Sequence, residues 1–402
     1  MKRIMRHEYI NKLVRLKESP DIKIIVGMRR SGKSELLRAY RDYLKSLDEA
    51  INIIEIDLVD LAFDELKNYK ELHQYVESHF VKDSLNVVMI DEIQLCENFE
   101  LAINSLHNSM KYDIYLTGSN AFLLSSDLAT LFTGRYIEIH VYPFSFAEYC
   151  QYFELNDLAP DILENYLIRG GLAGSYVYAE EEASNYIKNV YETIVKRDLV
   201  DKYKISEVAL LDNIAEFLMD NVGNLTTASN ISNTLMSKHI PTNHVTTGNY
   251  LRYLCNAFLF YKVKRYDIKG KKYLATNDKY YLSDVAIRYA ILGRRHMDYG
   301  RTYENLVALE LLRRGYDIYV GKLYQKEIDF VAIKGSEKIY IQVSDDISRE
   351  ETFQREISPL LSVNDAYPKI IIANTNHQMT VYKGVKVYDI ARWLLEISEV
   401  AT

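Results

Sequence analysis

The sequence predicts an α/β protein: a parallel sheet carrying a phosphate-binding loop, then a helical middle ending in a hairpin, then a smaller α/β segment. Three observations carry this. "DIKIIVGMRRSGKSELLRAYRDYLKSL" reads as an apolar, β-branched strand, a glycine loop and a helix of 3.6-residue periodicity. Further strand-like runs, "AINIIEIDL", "NVVMIDE" and "YDIYLTGSN", alternate with helical ones, as in a parallel sheet with crossover helices. Past residue 200 the pattern changes to consecutive helices and a lysine-rich hairpin, then a helix and several strands.

A chain of 402 residues is long enough for about three domains at roughly 100–200 residues each. With 48% apolar and 26% charged residues the composition is that of a soluble globular protein, and no run approaches the ~18 uncharged apolar residues of a membrane span. The start, "MKRIMRHEYINKLVRLKE", interrupts its apolar residues with charges, which predicts an amphipathic helix rather than an export signal, and so a cytoplasmic protein. Cys96, Cys150 and Cys255 lie far apart without a C-x-x-C pair, which argues against a zinc site or a disulfide framework and predicts buried thiols. A net charge of −7 gives no overall attraction to nucleic acid, so any such contact needs a local basic surface. There is no internal repeat or Pro/Ser-rich linker, so the domains are expected to pack closely.

The loop Gly27-Met28-Arg29-Arg30-Ser31-Gly32-Lys33-Ser34, followed by Glu35, fits G-x-x-x-x-G-K-[ST] between a strand and a helix. Glycines let backbone amides turn inward around phosphates, and the helix N-terminus adds its positive end. Lys33 is then placed for the β- and γ-phosphates and Ser34 for Mg²⁺, which predicts ATP as the ligand. The run "NVVMIDE" ends in Asp91, positioned to support Mg²⁺ through water, and Glu92, positioned to polarise the attacking water. The next strand ends in Thr117-Gly118-Ser119-Asn120, where Ser119 and Asn120 are candidates for sensing the γ-phosphate.

The additional strand at 50–58, between the loop strand and the Asp91 strand, resembles the AAA-type branch of P-loop ATPases. More closely, the chain resembles a prokaryotic family of AAA-type ATPases with a C-terminal domain of unknown function. The resemblance rests on "GMRRSGKSELL", "VVMIDEIQ", "LTGSNAFLLSSDLATLFTGRYIEIHVYPFSFAEY", "YLIRGGLAGSY" and "RDL", and covers the first 200 residues. It implies ATP hydrolysis with Mg²⁺, and it implies that Arg135 approaches the γ-phosphate from the same subunit or a neighbour; a surface arginine opening the strand "RYIEIHVY" is the other reading. It also implies that Arg169-Gly170-Gly171 shapes a helical lid and that Arg197-Asp198 orients it.

Three helical segments, "EVALLDNIAEFLMDNVGN", "TTASNISNTLMSKHI" and "TTGNYLRYLCNAF", lead into "LFYKVKRYDIKGKKYLATNDKYYLSD", the order of a winged helix with Gly270 at the hairpin turn. Lys262, Lys264, Arg265, Lys269, Lys271 and Lys272 gather there, interleaved with tyrosines. Three readings stay open: contact with DNA or RNA, a solvated edge protected by charge, and a protein-docking wing.

In the last hundred residues a helix followed by three strands resembles the core of restriction-endonuclease-like folds. By that resemblance Glu304 and Asp329 stand at metal-binding positions, while Gln342 and Ser344 replace the carboxylate and lysine of the third-strand triplet. An amide binds Mg²⁺ less strongly and a hydroxyl cannot supply a positive charge, so a scaffold without robust cleavage is expected. Lys326 and Lys338 are the neighbouring substitutes for the missing lysine.

The expected organisation is therefore an ATPase core at 1–150, a helical lid at 151–202, a winged helix at 203–290 and an inactive endonuclease-like domain at 291–402. The expected activity is ATP binding and hydrolysis coupled to a grip on nucleic acid or a protein partner, with self-association compatible and no membrane contact. A protein-binding scaffold ATPase and an ATP-dependent nuclease are the alternatives.

Overall fold

In the computed structural model, α1 (His7–Arg15) turns Tyr9, Ile10 and Leu13 inward and leads to β1 (Ile22–Val26), all five of whose residues are buried. Residues 2–47, 49–118, 132, 134–155, 160–293, 298–375 and 377–396 are described. The chain divides into two units, Met1–Pro143 with Arg197–Lys202, and Phe144–Lys196 with Tyr203–Thr402.

The first unit continues through α2 (Lys33–Lys45), β2 (Ile51–Asp57), α3 (Tyr69–Ser78), β3 (Leu85–Asp91), α4 (Phe99–Asn108), β4 (Tyr112–Thr117) and β5 (Tyr136–His140). The five strands form one sheet in the order β2-β3-β4-β1-β5, with every neighbour parallel. That order brings the ends of β1, β3 and β4 to one edge, where a parallel sheet leaves its ligand crevice. Leu36, Leu37, Tyr40 and Leu44 of α2 pack with Leu13 on Ile25, Val87, Met89 and Tyr115 of the sheet.

One charged residue lies inside this core. Lys23, 0% exposed on β1, donates through Nζ to Asp113 Oδ1 (2.5 Å) and Ser19 O (2.7 Å). Asp113 also accepts from Tyr115 OH (3.1 Å) and the Glu18 amide (3.0 Å). Burying this pair is tolerated because the remaining donors and acceptors are used.

The second unit opens with α5 (Phe146–Phe153), α6 (Pro160–Arg169) and α7 (Glu180–Thr193). Ser145 and Glu148 form a reciprocal cap on α5. Gly170 ends α6 at φ +65°, and a Cβ there would stand 2.1 Å from Asp284 Oδ1. Asp284 holds this turn by accepting from the Gly171 amide (2.8 Å) and caps a later helix through the Ala286 amide (3.0 Å). The glycine pair of "IRGGL" thus serves a close packing contact.

Next come α8 (Val208–Asp220), α9 (Ala228–Ser237), α10 (His244–Asn256), β6 (Phe260–Asp267), β7 (Lys272–Leu282), α11 (Val285–Leu292) and α12 (Tyr299–Arg313). The chain finishes with β8 (Asp317–Leu323), β9 (Lys326–Lys334), β10 (Glu337–Ser344), α13 (Glu350–Leu361), β11 (Lys369–Ala373), β12 (Thr380–Tyr382), β13 (Val385–Asp389) and α14 (Ile390–Leu395). The strands form an eight-stranded sheet in the order β12-β13-β11-β10-β9-β8-β6-β7. β8, β9 and β10 are antiparallel, and β11 returns parallel to β10.

Two expected boundaries differ from this division. The hairpin β6–β7 is not a free wing closing a segment at 290: Arg265–Asp267 pair in parallel with Val320–Lys322 of β8, so the hairpin extends the C-terminal sheet. The stretch 151–202, expected as a lid on the ATPase core, divides: its residues up to Lys196 cluster with the second unit, as do Phe144–Cys150, and only Arg197–Lys202 joins the first. Phe144, Tyr149, Tyr152, Phe153, Tyr166 and Tyr176 pack there in edge-to-face and tilted pairs and build a core of their own. Cys96 and Cys150 are buried as expected and Cys255 is half-buried; all three are free thiols. Among the described residues no helix is long and apolar enough to cross a membrane.

Candidate nucleotide-binding site

The loop after β1 is shaped by residues that tolerate unusual backbone angles. Gly27 has φ +151°, and a Cβ on it would lie 2.1 Å from the Val141 carbonyl oxygen; Gly32 has φ +98°. Arg30, exposed, takes φ +66°. Lys33 is buried and donates through Nζ to Gly27 O (2.9 Å) and Met28 O (3.1 Å). Burial pulls its pKa below the usual lysine value, with the Glu92 charge opposing and Arg29 adding to the fall. Ser31 Oγ is buried and has no hydrogen-bond partner among the described residues.

At the same edge Thr117 ties the two acids together. Its Oγ1 donates to Asp91 Oδ1 and accepts from the Glu92 amide (3.1 Å). Glu92 sits at φ +55°, a left-handed conformation of the kind that costs about 1–3 kcal/mol and that cores retain where a side chain must be aimed. Gln94 Nε2 donates to Glu92 Oε2.

Two arginines brace the loop. Arg6, 7% exposed, donates to Ser31 O (3.1 Å) and Tyr142 O (2.9 Å) and lies 4.4 Å above the Tyr9 ring. Arg29 donates to both oxygens of Asp198, at 3.0 and 2.6 Å. Neither bond is readable from the sequence, because each joins the loop to chain 25 or more positions away. His140 closes β5 on this side; burial, and then the charges of Lys33 and Lys12, lower its pKa to about 3.

The other expected residues divide. Met28 puts its side chain in the core, Ser34 is half-buried, and Glu35 is exposed and pairs with Arg3 (3.1 Å) and Arg38 (2.6 Å) rather than turning to the loop. Ser119 and Asn120 lie outside the described residues. Arg135 precedes β5, whose register with β1 runs from Ile22↔Tyr136 to Val26↔His140. It therefore stands at the sheet edge opposite the loop, about 16 Å of strand away, and its Nη1 donates to Asn108 Oδ1 (2.8 Å) on the surface. An approach to a phosphate bound in the same chain is corrected by this placement.

Residues 19–150 match the family model of an AAA domain, and residues 160–298 match a domain of unknown function (DUF8612). A Haemophilus influenzae protein described as uncharacterized is 39% identical over 398 residues, covering 98% of this chain and 99% of that one. The chain belongs to that protein's family. Uncharacterized protein MJ1544 of Methanocaldococcus jannaschii is 28% identical, covering 93% of this chain and 85% of that one. Among solved structures, AMPPCP-bound DnaA from Aquifex aeolicus is 15% identical with a TM-score of 0.30, covering 62% of this chain and 86% of that one, a likeness too low to carry an argument. The first unit is an AAA-type P-loop domain, a nucleotide-binding class.

In the second unit the family's C-terminal sheet gathers a carboxylate centre. Glu304 of α12 and Asp329 of β9 lie together around a cation, Lys279 of β7. Its Nζ lies 2.9 Å from Glu304 Oε1, 2.9 Å from Glu327 Oε1 and 3.6 Å from Asp329 Oδ1. Tyr281 OH donates to Glu304 Oε1 (2.5 Å) and the Val343 amide to Asp329 Oδ2 (2.9 Å). Burial works against the Lys279 ammonium, but the charges of Glu304, Asp329 and Glu327 outweigh it and hold its pKa well above the usual lysine value. Burial and the Glu304 charge push the Asp329 carboxyl far above the usual carboxylate range.

Gln342 is turned to Glu356, donating through Nε2 (2.9 Å), while Ser344 donates to Asp346 O (3.2 Å) and takes no part. Lys326 bonds Ser358 Oγ (2.7 Å) and Ser362 Oγ (2.8 Å), and Lys338 lies 4.7 Å from the Tyr367 ring, so both are engaged elsewhere. Lys279 was missed because it lies in the run assigned to the wing; alternation along "NDKYYL" puts it on one face with Tyr281, a signal that was there to find.

Of the hairpin's cations, Lys262 is neutralised by Asp278 (2.7 Å) and Arg265 is half-buried. Lys264, Lys269, Lys271 and Lys272 are exposed, as are Tyr273 and Tyr324, and Lys269 lies 4.8 Å from the Tyr324 ring.

Proposed function

We propose that this chain is an ATP-hydrolysing AAA-type switch. The observation that carries it is the loop itself: a cradle closed to a Cβ at Gly27, a buried hydroxyl on Ser31 without a partner among the described residues, and a lysine bonded to two loop carbonyls. These are groups that a phosphate chain would satisfy. The oxygen donors Ser34 and Asp91 fit Mg²⁺, which needs few protein ligands beside phosphate and water. Mg²⁺ held there would neutralise developing phosphate charge. Glu92, aimed by its left-handed backbone and the Thr117 hydroxyl, is the residue that would accept a proton from the attacking water. Arg135, at the far edge, serves a phosphate only if a neighbouring copy presents one.

The output falls to the second unit. Helices α8 to α10 followed by a hairpin, with Thr226 bridging Asp278, support the winged-helix reading. The order α12-β8-β9-β10-α13-β11 supports an endonuclease-like scaffold. Lys279 among its carboxylates disfavours cleavage, because the position a metal would need carries a buried ammonium. The exposed lysines of the hairpin, with Tyr273 on it and Tyr324 on the β8–β9 turn beside Lys269, favour nucleic acid as what is gripped.

ATP turnover with and without single-stranded and duplex DNA and RNA, beside Lys33→Ala and Glu92→Gln, tests this. Turnover that both variants abolish and nucleic acid raises supports the whole reading. Replacing Lys264, Lys269, Lys271 and Lys272 with Gln should then flatten the salt dependence of binding. Turnover indifferent to every nucleic acid moves the partner to protein, and no turnover at all removes the hydrolytic role of Glu92.

A further inference from the structure

We propose that Arg29 is the arginine that acts on the γ-phosphate, supplied by the loop of the same chain and held in position by Asp198. This deepens the ATP-hydrolysis reading and rests on it. Arg29 is the third residue of the loop, and Asp198 grips one edge of its guanidinium through Nε (3.0 Å) and Nη2 (2.6 Å). Such a fork fixes the plane of the group, so that the N–H donors not used by Asp198 are presented in one direction. The Asp198 side chain is 5% exposed and that of Arg29 23% exposed, so the carboxylate is the buried anchor and the guanidinium the part that meets solvent.

Three further observations favour this role. Asp198 comes from Arg197–Lys202, the stretch of the middle helices that joins the first unit. Hydrogen bonding to Asp198 raises the Arg29 pKa against burial, with the charge of Asp198 and then that of Glu92, the residue expected to align water, adding to the rise. Arg135, the arginine expected for this task, stands at the opposite sheet edge and is engaged with Asn108. A positioned arginine beside a transferring phosphoryl group stabilises the charge that spreads over its oxygens, at no cost of reorganisation when the ligand arrives. Asp198 is then a positioning residue: it acts only through Arg29.

The test is steady-state ATP turnover and the Kd of a fluorescent ATP analogue for wild type, Arg29→Gln, Asp198→Asn, Asp198→Glu and the Arg29→Gln/Asp198→Asn pair, with Lys33→Ala as the binding control. Arg29→Gln should lower kcat at least about 1000-fold, the lower side of the effect of arginines acting on phosphoryl transfer, with Kd changed no more than about threefold. Asp198→Asn should lower kcat by a smaller factor, Asp198→Glu should recover part of it, and the double variant should be no slower than Arg29→Gln. Arg29→Gln turning over within about threefold of wild type overturns the proposal, as does a further loss in the double variant, which would show Asp198 acting by another route. If Asp198→Asn does not fold, Arg29→Gln still decides the role of the arginine, and Asp198→Glu against wild type decides that of the carboxylate. Wild type that binds the analogue without turnover defeats the hydrolysis reading instead, a result distinct from either.

Discussion

Each unit sets carboxylates near a lysine, and the two lysines differ in what they are bonded to. In the first unit Lys33 is held by two backbone carbonyls, while Asp91 and Glu92 are tied to Thr117 and Gln94. In the second unit Lys279 is bonded directly to the carboxylates that surround it. The first lysine can exchange weak neutral acceptors for a phosphate; the second cannot leave without stranding buried negative charge. The same residue types thus make a site that awaits a ligand in one sheet and a self-neutralised centre in the other.

The largest effect that would sharpen this contrast is on rate. Glu92→Gln should lower ATP turnover about 10²–10⁴-fold, the usual contribution of a positioned base, while nucleotide binding stays near wild type; binding and turnover falling together would break the assignment. Next is stability. Lys279→Met should cost about 3–5 kcal/mol in urea unfolding of the second unit, because Glu304 and Glu327 lose their shared cation. Adding Glu304→Gln should recover part of the loss. A cost below about 1 kcal/mol, the range of surface pairs, would show that the centre is not closed in solution.

The smaller effect is on acid sensitivity of the first unit. With its folded pKa lowered to about 3 from 6.5, His140 binds its proton more readily in the unfolded chain. Its contribution to stability is therefore intact above pH 6.5 and is lost as pH falls toward 3. His140→Gln should flatten that limb of a stability profile measured by chemical unfolding, and an unchanged slope would mean that other groups carry it.

Local patterns in the sequence reveal much of the first unit. The strand–loop–helix around Gly27 to Ser34, the acids after an apolar strand and the additional strand at 50–58 all depend on neighbours within a few residues; these elements form, and the additional strand takes the sheet edge beside β3. Fewer cross-chain features could be read. The burial of Lys23 depends on Asp113, 90 positions on; the bracing of the loop depends on Arg6 and Asp198; and the cation of the second unit comes from β7.

The hairpin shows the limit most clearly. "VKRYDIKGKKY" predicts two strands and a turn correctly, but whether its outer edge is free or paired with β8 is decided by a strand some 50 residues later. By itself the sequence determined the elements and the nucleotide loop, because periodicity and glycine geometry are local properties. Tertiary structure alone decided which sheet the hairpin joins, which arginine faces the loop and which lysine fills the carboxylate centre. Those depend on long-range pairing, where burial makes a charge seek whichever partner the fold brings within reach.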